Sequence, residues 1–67
     1  MCLSTVYVHS GNQQSEVMRD VAYMEAKNEG FVLTGLLGDK KFVQGRLRSV
    51  DFVDEHSVVL EDSGKGT

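Results

Sequence analysis

Apolar residues along this chain fall into short runs at 2–9, 16–27, 31–37, 41–53 and 57–61. Polar or glycine-bearing breaks separate them at Gly11-Asn12, Asn28-Glu29-Gly30, Gly38-Asp39 and Asp54-Glu55. Turn signals spaced in this way predict short strands and a small sandwich or barrel. In CLSTVYVH, strand alternation puts Cys2, Ser4, Val6 and Val8 on one face and Leu3, Thr5, Tyr7 and His9 on the other. Both faces carry apolar groups, so this strand is expected to be covered on both sides. FVLTGLL is apolar and β-branched, and Gly35 inside it marks a bulge, a bend or a close backbone approach. SVVLED reads as the closing strand. The final SGKGT reads as a frayed end, giving one domain over 1–62 and a flexible tail over 63–67.

One segment carries a period foreign to strands. SEVMRDVAYMEAKNEG sets Val17, Val21 and Met24 at helical spacing among good helix formers, with Gly30 where a C′ glycine would sit. The pattern predicts a helix over 16–28. The same letters also allow two short strands broken near Arg19-Asp20.

Length and composition narrow the function classes. A chain of 67 residues holds one domain. Domains this small bury only about 60% of their unfolded surface and usually add a staple. The single cysteine excludes an intrachain disulfide, which leaves a metal or a partner subunit. Ten acidic residues against seven basic ones give a net charge of −3, the wrong sign for a phosphate-neutralising surface. The most basic stretch is KKFVQGRLR. On one continuous strand Lys40, Arg46 and Arg48 would share a face and Lys41 would oppose them, a pattern that reads as a solvated face. Without tryptophan, the few Phe and Tyr residues make a thin stacking platform. Residues 1–12 lack the basic start and long apolar run of a signal peptide, and no stretch approaches the ~18 apolar residues of a membrane span. A lone thiol without an export signal fits the reducing cytoplasm.

Catalytic constellations are missing from the sequence. GDKK lacks the glycine spacing of a phosphate loop. On one strand Cys2 and His9 would lie on opposite faces and about 23 Å apart. The adjacent acids Asp54/Glu55 and Glu61/Asp62 would point to opposite faces and read as solubilising surface, and His56 as a solvated turn residue. So short a chain also offers little room for a closed cleft. The expectation is a protein that is not an enzyme.

Four stretches together resemble the CooT family: the opening MCLSTVYV, DVAYM at 20–24, GLLGDKKFVQGRLRSVDF at 35–52, and the acidic SVVLED. Its members are small bacterial and archaeal proteins, also catalogued as predicted RNA-binding proteins. The resemblance runs to about Asp62, and its most specific element is the Met-Cys start in a chain of this length. It implies an all-β, SH3-like barrel that forms a homodimer. It further implies one nickel ion per dimer and an accessory role in nickel insertion into carbon monoxide dehydrogenase. The family's metal is associated with the cysteine at the second position, which Cys2 matches. The resemblance also implies that 16–28 is extended. We take that reading over the helical pattern, because tertiary pairing overrides propensity in a short chain.

Chemistry gives Cys2 a plausible means of holding such an ion. A thiolate is a soft ligand that suits late divalent metals, and binding deprotonates it near neutral pH. If Met1 is removed, the amine and thiolate of Cys2 close a five-membered chelate ring. The Leu3 amide adds a third in-plane donor for a square-planar ion such as Ni(II) or Cu(II). If Met1 stays, the Cys2 amide and thiolate donate, and the Met1 amine can close a second ring. A two-fold dimer duplicates whichever set is used. Against this stands the ordinary role of a lone cysteine as a small buried hydrophobe. The expected function is therefore a cytoplasmic, metallochaperone-like Ni(II)-binding accessory protein. Its expected partners are a second copy, the nickel-insertion machinery or carbon monoxide dehydrogenase. The alternative is a small β-barrel interaction or RNA-binding module with no metal role, and the acidic charge argues against its nucleic-acid form.

Overall fold

The computed structural model describes residues 3–62, so Met1, Cys2 and the 63–67 tail lie outside the described residues. Six strands form one mixed sheet: β1 (Ser4–Ser10), β2 (Gln13–Ala26), β3 (Gly30–Gly35), β4 (Lys40–Gln44), β5 (Arg46–Asp51) and β6 (Ser57–Glu61). Their order across the sheet is β4-β3-β2-β1-β6-β5. Neighbours are antiparallel except β1 and β6, which run parallel with Thr5 opposite Ser57 and His9 opposite Glu61. The first and last strands thus lie side by side in the interior of the sheet. Val6, at the centre of β1, is fully buried, and its neighbours on both faces are half-buried, as the mixed alternation of CLSTVYVH required.

The helical pattern over 16–28 is overturned. Those residues belong mostly to β2, the longest strand at 14 residues, which pairs with β1 through its first half and β3 through its second. Its registers explain the misleading spacing. Between Tyr7 and Val6 the partner residues run from Glu16 to Met18. Between Val6 and Ser4 they run from Met18 to Val21, and Tyr23 to Val21 spans only Thr34 to Gly35 on β3. Each irregularity inserts one extra residue into β2, and each such bulge moves the next inward side chain along by one. Met18, Val21 and Met24 consequently reach the core at a spacing of three, which imitates one face of a helix. Asp20, at φ 54°, takes the sharpest bend, close to the break that the strand alternative allowed.

A second bend replaces the expected barrel closure. The sheet curls but does not close into a barrel, because its two edge strands β4 and β5 are joined through Gly45 and pair inward with β3 and β6 instead of with each other. Gly45 has φ 153°, and its N–H donates to the Glu29 carbonyl at 3.1 Å. A Cβ there would stand 2.7 Å from the Glu61 carbonyl oxygen, so only glycine turns this corner without displacing β6. The basic stretch KKFVQGRLR is therefore not one strand face. Lys40 sits on β4, where it donates to Thr34 at 3.3 Å, while Arg46 and Arg48 sit on β5.

The buried apolar core consists of Val6, Val21, Leu33, Val43, Val58 and Leu60, with Val8, Val17, Met18, Met24 and Phe31 packed against it. Among the described residues six buried apolar side chains make a small core and eight large hydrophobics remain exposed, so the fold has little stability to spare. No helix among the described residues is long and apolar enough to cross a membrane.

Candidate metal centre

Cys2, the residue that the sequence nominates as metal ligand, lies outside the described residues together with Met1. What the structure fixes is the frame next to it. Leu3 is half-buried, and the chain enters β1 one residue later at Ser4. Ser4 faces Val21 across β2, and the Thr5 N–H donates to the His56 carbonyl at 3.2 Å on the other side. The start of β1 is therefore held from both sides. A cleft of about 140 Å³ opens beside Ser4, lined by Val6, Val21, Tyr23, Met24 and Val58 among others.

His56 occupies a different position from the solvated turn expected of it. It is half-buried at φ 50°, and its carbonyl anchors β1. The loop leading to it is ordered by Asp51, whose carboxylate accepts the Val53 N–H at 2.9 Å and the Asp54 N–H at 3.0 Å. Those two N–H groups hold the Asp51 carboxyl below the usual carboxylate range. An aspartate accepting from the backbone two and three residues on is a recognised turn device, so Asp51 was legible in DFVDEH although the sequence reading passed it over.

His9 is taken away from the N-terminus, as the strand geometry required. Its Nδ1 lies 3.2 Å from Oε1 of Glu61, which also accepts from the Arg48 guanidinium at 2.7 Å. Arg48 reaches it from a bulge, since Leu47 to Ser49 on β5 spans only Leu60 to Val59 on β6. Burial pushes the Glu61 carboxyl upward, but hydrogen bonds from Arg48 and His9 hold it below its ordinary value. Beside this group the Ser10 hydroxyl donates to Asp62 at 3.1 Å. Glu61 and Asp62 are thus structural ties between strands, more than the solubilising surface expected of them.

Among the described residues, no group of three or more His, Cys, Asp or Glu side chains could hold a metal ion. His9 and His56 sit at opposite ends of the β1–β6 pair, so the described histidines do not converge. A hollow of about 500 Å³ lies at the Gly45 corner between the β2–β3 turn and the start of β5. It contains none of the nominated residues.

Comparison with known proteins gives two findings. A family model described as "CO dehydrogenase accessory protein CooT" matches residues 1–61. The crystal structure of a protein assigned as CooT from Carboxydothermus hydrogenoformans superimposes with a TM-score of 0.83 at 21% sequence identity, covering 92% of this chain and 98% of that one. At that identity the likeness is one of fold. No curated protein matches the chain.

Proposed function

The chain belongs to the CooT family of CO dehydrogenase accessory proteins, and from that premise we propose that it holds Ni(II) through Cys2 for the maturation of CO dehydrogenase in the cytoplasm. CooT proteins are accessory to that enzyme and are not enzymes themselves. The observation that carries the nickel reading is the family match, which extends through the Met-Cys start. Two structural facts support it. The described residues offer no competing cluster of donors, and the strand that follows Cys2 is fixed on both sides.

The donor chemistry suits the ion. Thiolate sulfur with main-chain nitrogen favours a late metal in a square-planar field, and copper would bind more tightly than nickel in vitro. Supply and partners would therefore select the metal. In this reading two copies share one ion across a two-fold axis, each giving its Cys2 thiolate and a main-chain nitrogen. The small core is consistent with a dimer, because a second copy is one of the few staples open to a chain without a disulfide.

The test is an anaerobic Ni(II) titration of mass-checked protein, followed by absorbance and in parallel by sedimentation. The expected outcome is a sulfur-to-nickel charge-transfer band that saturates at one metal per two chains. Cys2→Ser should lose the band and keep the β-rich dichroism of the wild type. A variant that binds nickel as the wild type does would move the site elsewhere and end this reading.

A further inference from the structure

The end of the sheet where β1 begins collects three turns of the chain. Gly35, Val21 and Ser4 stand in one row across β3, β2 and β1, and Thr5, Ser57 and Asp51 continue it across β6 and β5. The β3–β4 turn consequently lies between the second and third strands to one side of β1, and the β5–β6 loop between the first and second to the other. At about 4.8 Å per strand, the two tips lie about 12 and about 7 Å from the N-terminal strand. The bend of β2 fits between them, with the Leu36 N–H donating to the Asp20 carbonyl at 3.0 Å.

Both tips have the same composition. Leu36 and Leu37 are 55% and 92% exposed in one, and Phe52 and Val53 are 78% and 81% exposed in the other. Scattered exposed hydrophobics are ordinary, but two apolar pairs at the tips of one end are a mark of an interaction surface. Nothing local calls for them. Gly38, at φ 93°, shapes the first turn and the Asp51 carboxylate shapes the second, so polar residues would serve equally well at 37 and 53.

Charge says what kind of surface would meet them. Asp20, Asp39, Asp51, Asp54 and Glu55 all lie in these three turns, which is five of the ten acidic residues of the chain. Of the neighbouring cations Arg19 is paired with Glu16 at 2.9 Å, while Lys40, which donates to the neutral Thr34 hydroxyl at 3.3 Å, and Lys41 offset part of this charge and leave the end acidic. A second copy of this chain would bring like charge against like at the tips. An apolar patch rimmed with Lys and Arg would not.

We propose that the Leu36-Leu37 and Phe52-Val53 tips form a docking surface for a partner protein that presents an apolar patch with a basic rim. The acidic rim steers the approach, and the apolar pairs supply the buried contact. Naming CO dehydrogenase as that partner rests on the proposed function.

The test is the binding of this protein to immobilised CO dehydrogenase of the same organism, measured at ~0.05 and ~0.3 M salt. Two variants change only exposed side chains: Leu37→Ser with Val53→Ser, and Asp54→Lys with Glu55→Lys. The wild type is expected to bind more weakly at the higher salt. Each double variant is expected to bind at least ~10-fold more weakly with an unchanged thermal midpoint, and the charge variant to lose the salt dependence. Cys2→Ser should dock as the wild type does, which separates this surface from the metal reading. A wild type that fails to bind, or variants that bind equally well, would overturn the proposal. So would variants that instead shift the monomer–dimer balance, because the tips would then serve a second copy.

Discussion

Replacing Gly45 with alanine should be among the most damaging methyl additions this protein can receive. Two costs combine at that position. The backbone stands at φ 153°, a conformation closed to side-chain-bearing residues except at ~1–3 kcal/mol. The new Cβ would also lie 2.7 Å from the Glu61 carbonyl oxygen, so β5 and β6 would have to separate by some tenths of an ångström. Together these come to about 3 kcal/mol. Gly11→Ala is the internal control. Its φ is 61°, and a Cβ there meets nothing within 4 Å, so only the left-handed penalty of about 1 kcal/mol applies. A domain of this size has a stability on the order of 3–10 kcal/mol, and 1 kcal/mol moves its midpoint by about 4–8 °C. Gly45→Ala is thus expected to melt about 8–16 °C below Gly11→Ala. Far-UV dichroism would follow the thermal and urea transitions at one fixed protein concentration, because any self-association makes the midpoint concentration-dependent. A Gly45→Ala protein within about 0.5 kcal/mol of Gly11→Ala would refute the corner as described, since the two costs cannot both be that small.

Other outcomes follow from the core and from the paired carboxylates. Leu33 is fully buried against the β2–β4 side of the core, and Leu33→Ala should cost about 3 kcal/mol in urea unfolding, whereas the exposed Leu37→Ala should stay within about 0.5 kcal/mol of wild type. Glu61 and Asp51 both have carboxyls held below their ordinary values in the folded state. Such groups contribute stability that is present above their unfolded pKa and disappears as pH falls through the folded one. Stability should therefore decline on acidification below about pH 4.5. Glu61→Gln or Asp51→Asn should flatten that decline, which urea midpoints measured from neutral to acid pH would show.

Much of this fold could be read along the chain, and what could not has definite causes. The runs at 2–9 and 57–61 coincide closely with β1 and β6 over the described residues, and the turns at Gly11-Asn12, Gly38-Asp39 and Asp54-Glu55 are set by local chemistry and lie where the residues put them. The 16–28 segment misled because bulges changed a period of two into one of three at Met18, Val21 and Met24, and bulges are fixed by the partner strand. KKFVQGRLR misled for a related reason. Its single glycine looks like any other until Glu29 and Glu61, distant in sequence, are seen against it. The His9–Glu61 contact joins residues 52 positions apart and leaves no trace in either neighbourhood. Cys2 was nominated by its position and by the resemblance, and the family match reaches it while the described residues begin just after it. The apolar tips were visible as letters, but their exposure was not, because LL and FV beside a strand ordinarily read as core.

The parallel pairing of β1 with β6 has a consequence for how the protein is made. A ribosome delivers β1 first and β6 last, so this interior strand pair must wait for almost the whole chain. Contacts of such long sequence separation form slowly and close only after the intervening loop has been ordered. A nascent or truncated chain ending before Ser57 leaves one edge of β1 unpaired, with the Thr5 N–H lacking its place beside the last strand. β1, although synthesised first, is therefore among the last strands to have both of its edges paired. A chain interrupted during synthesis would carry β1 without the last strand that fixes one of its edges.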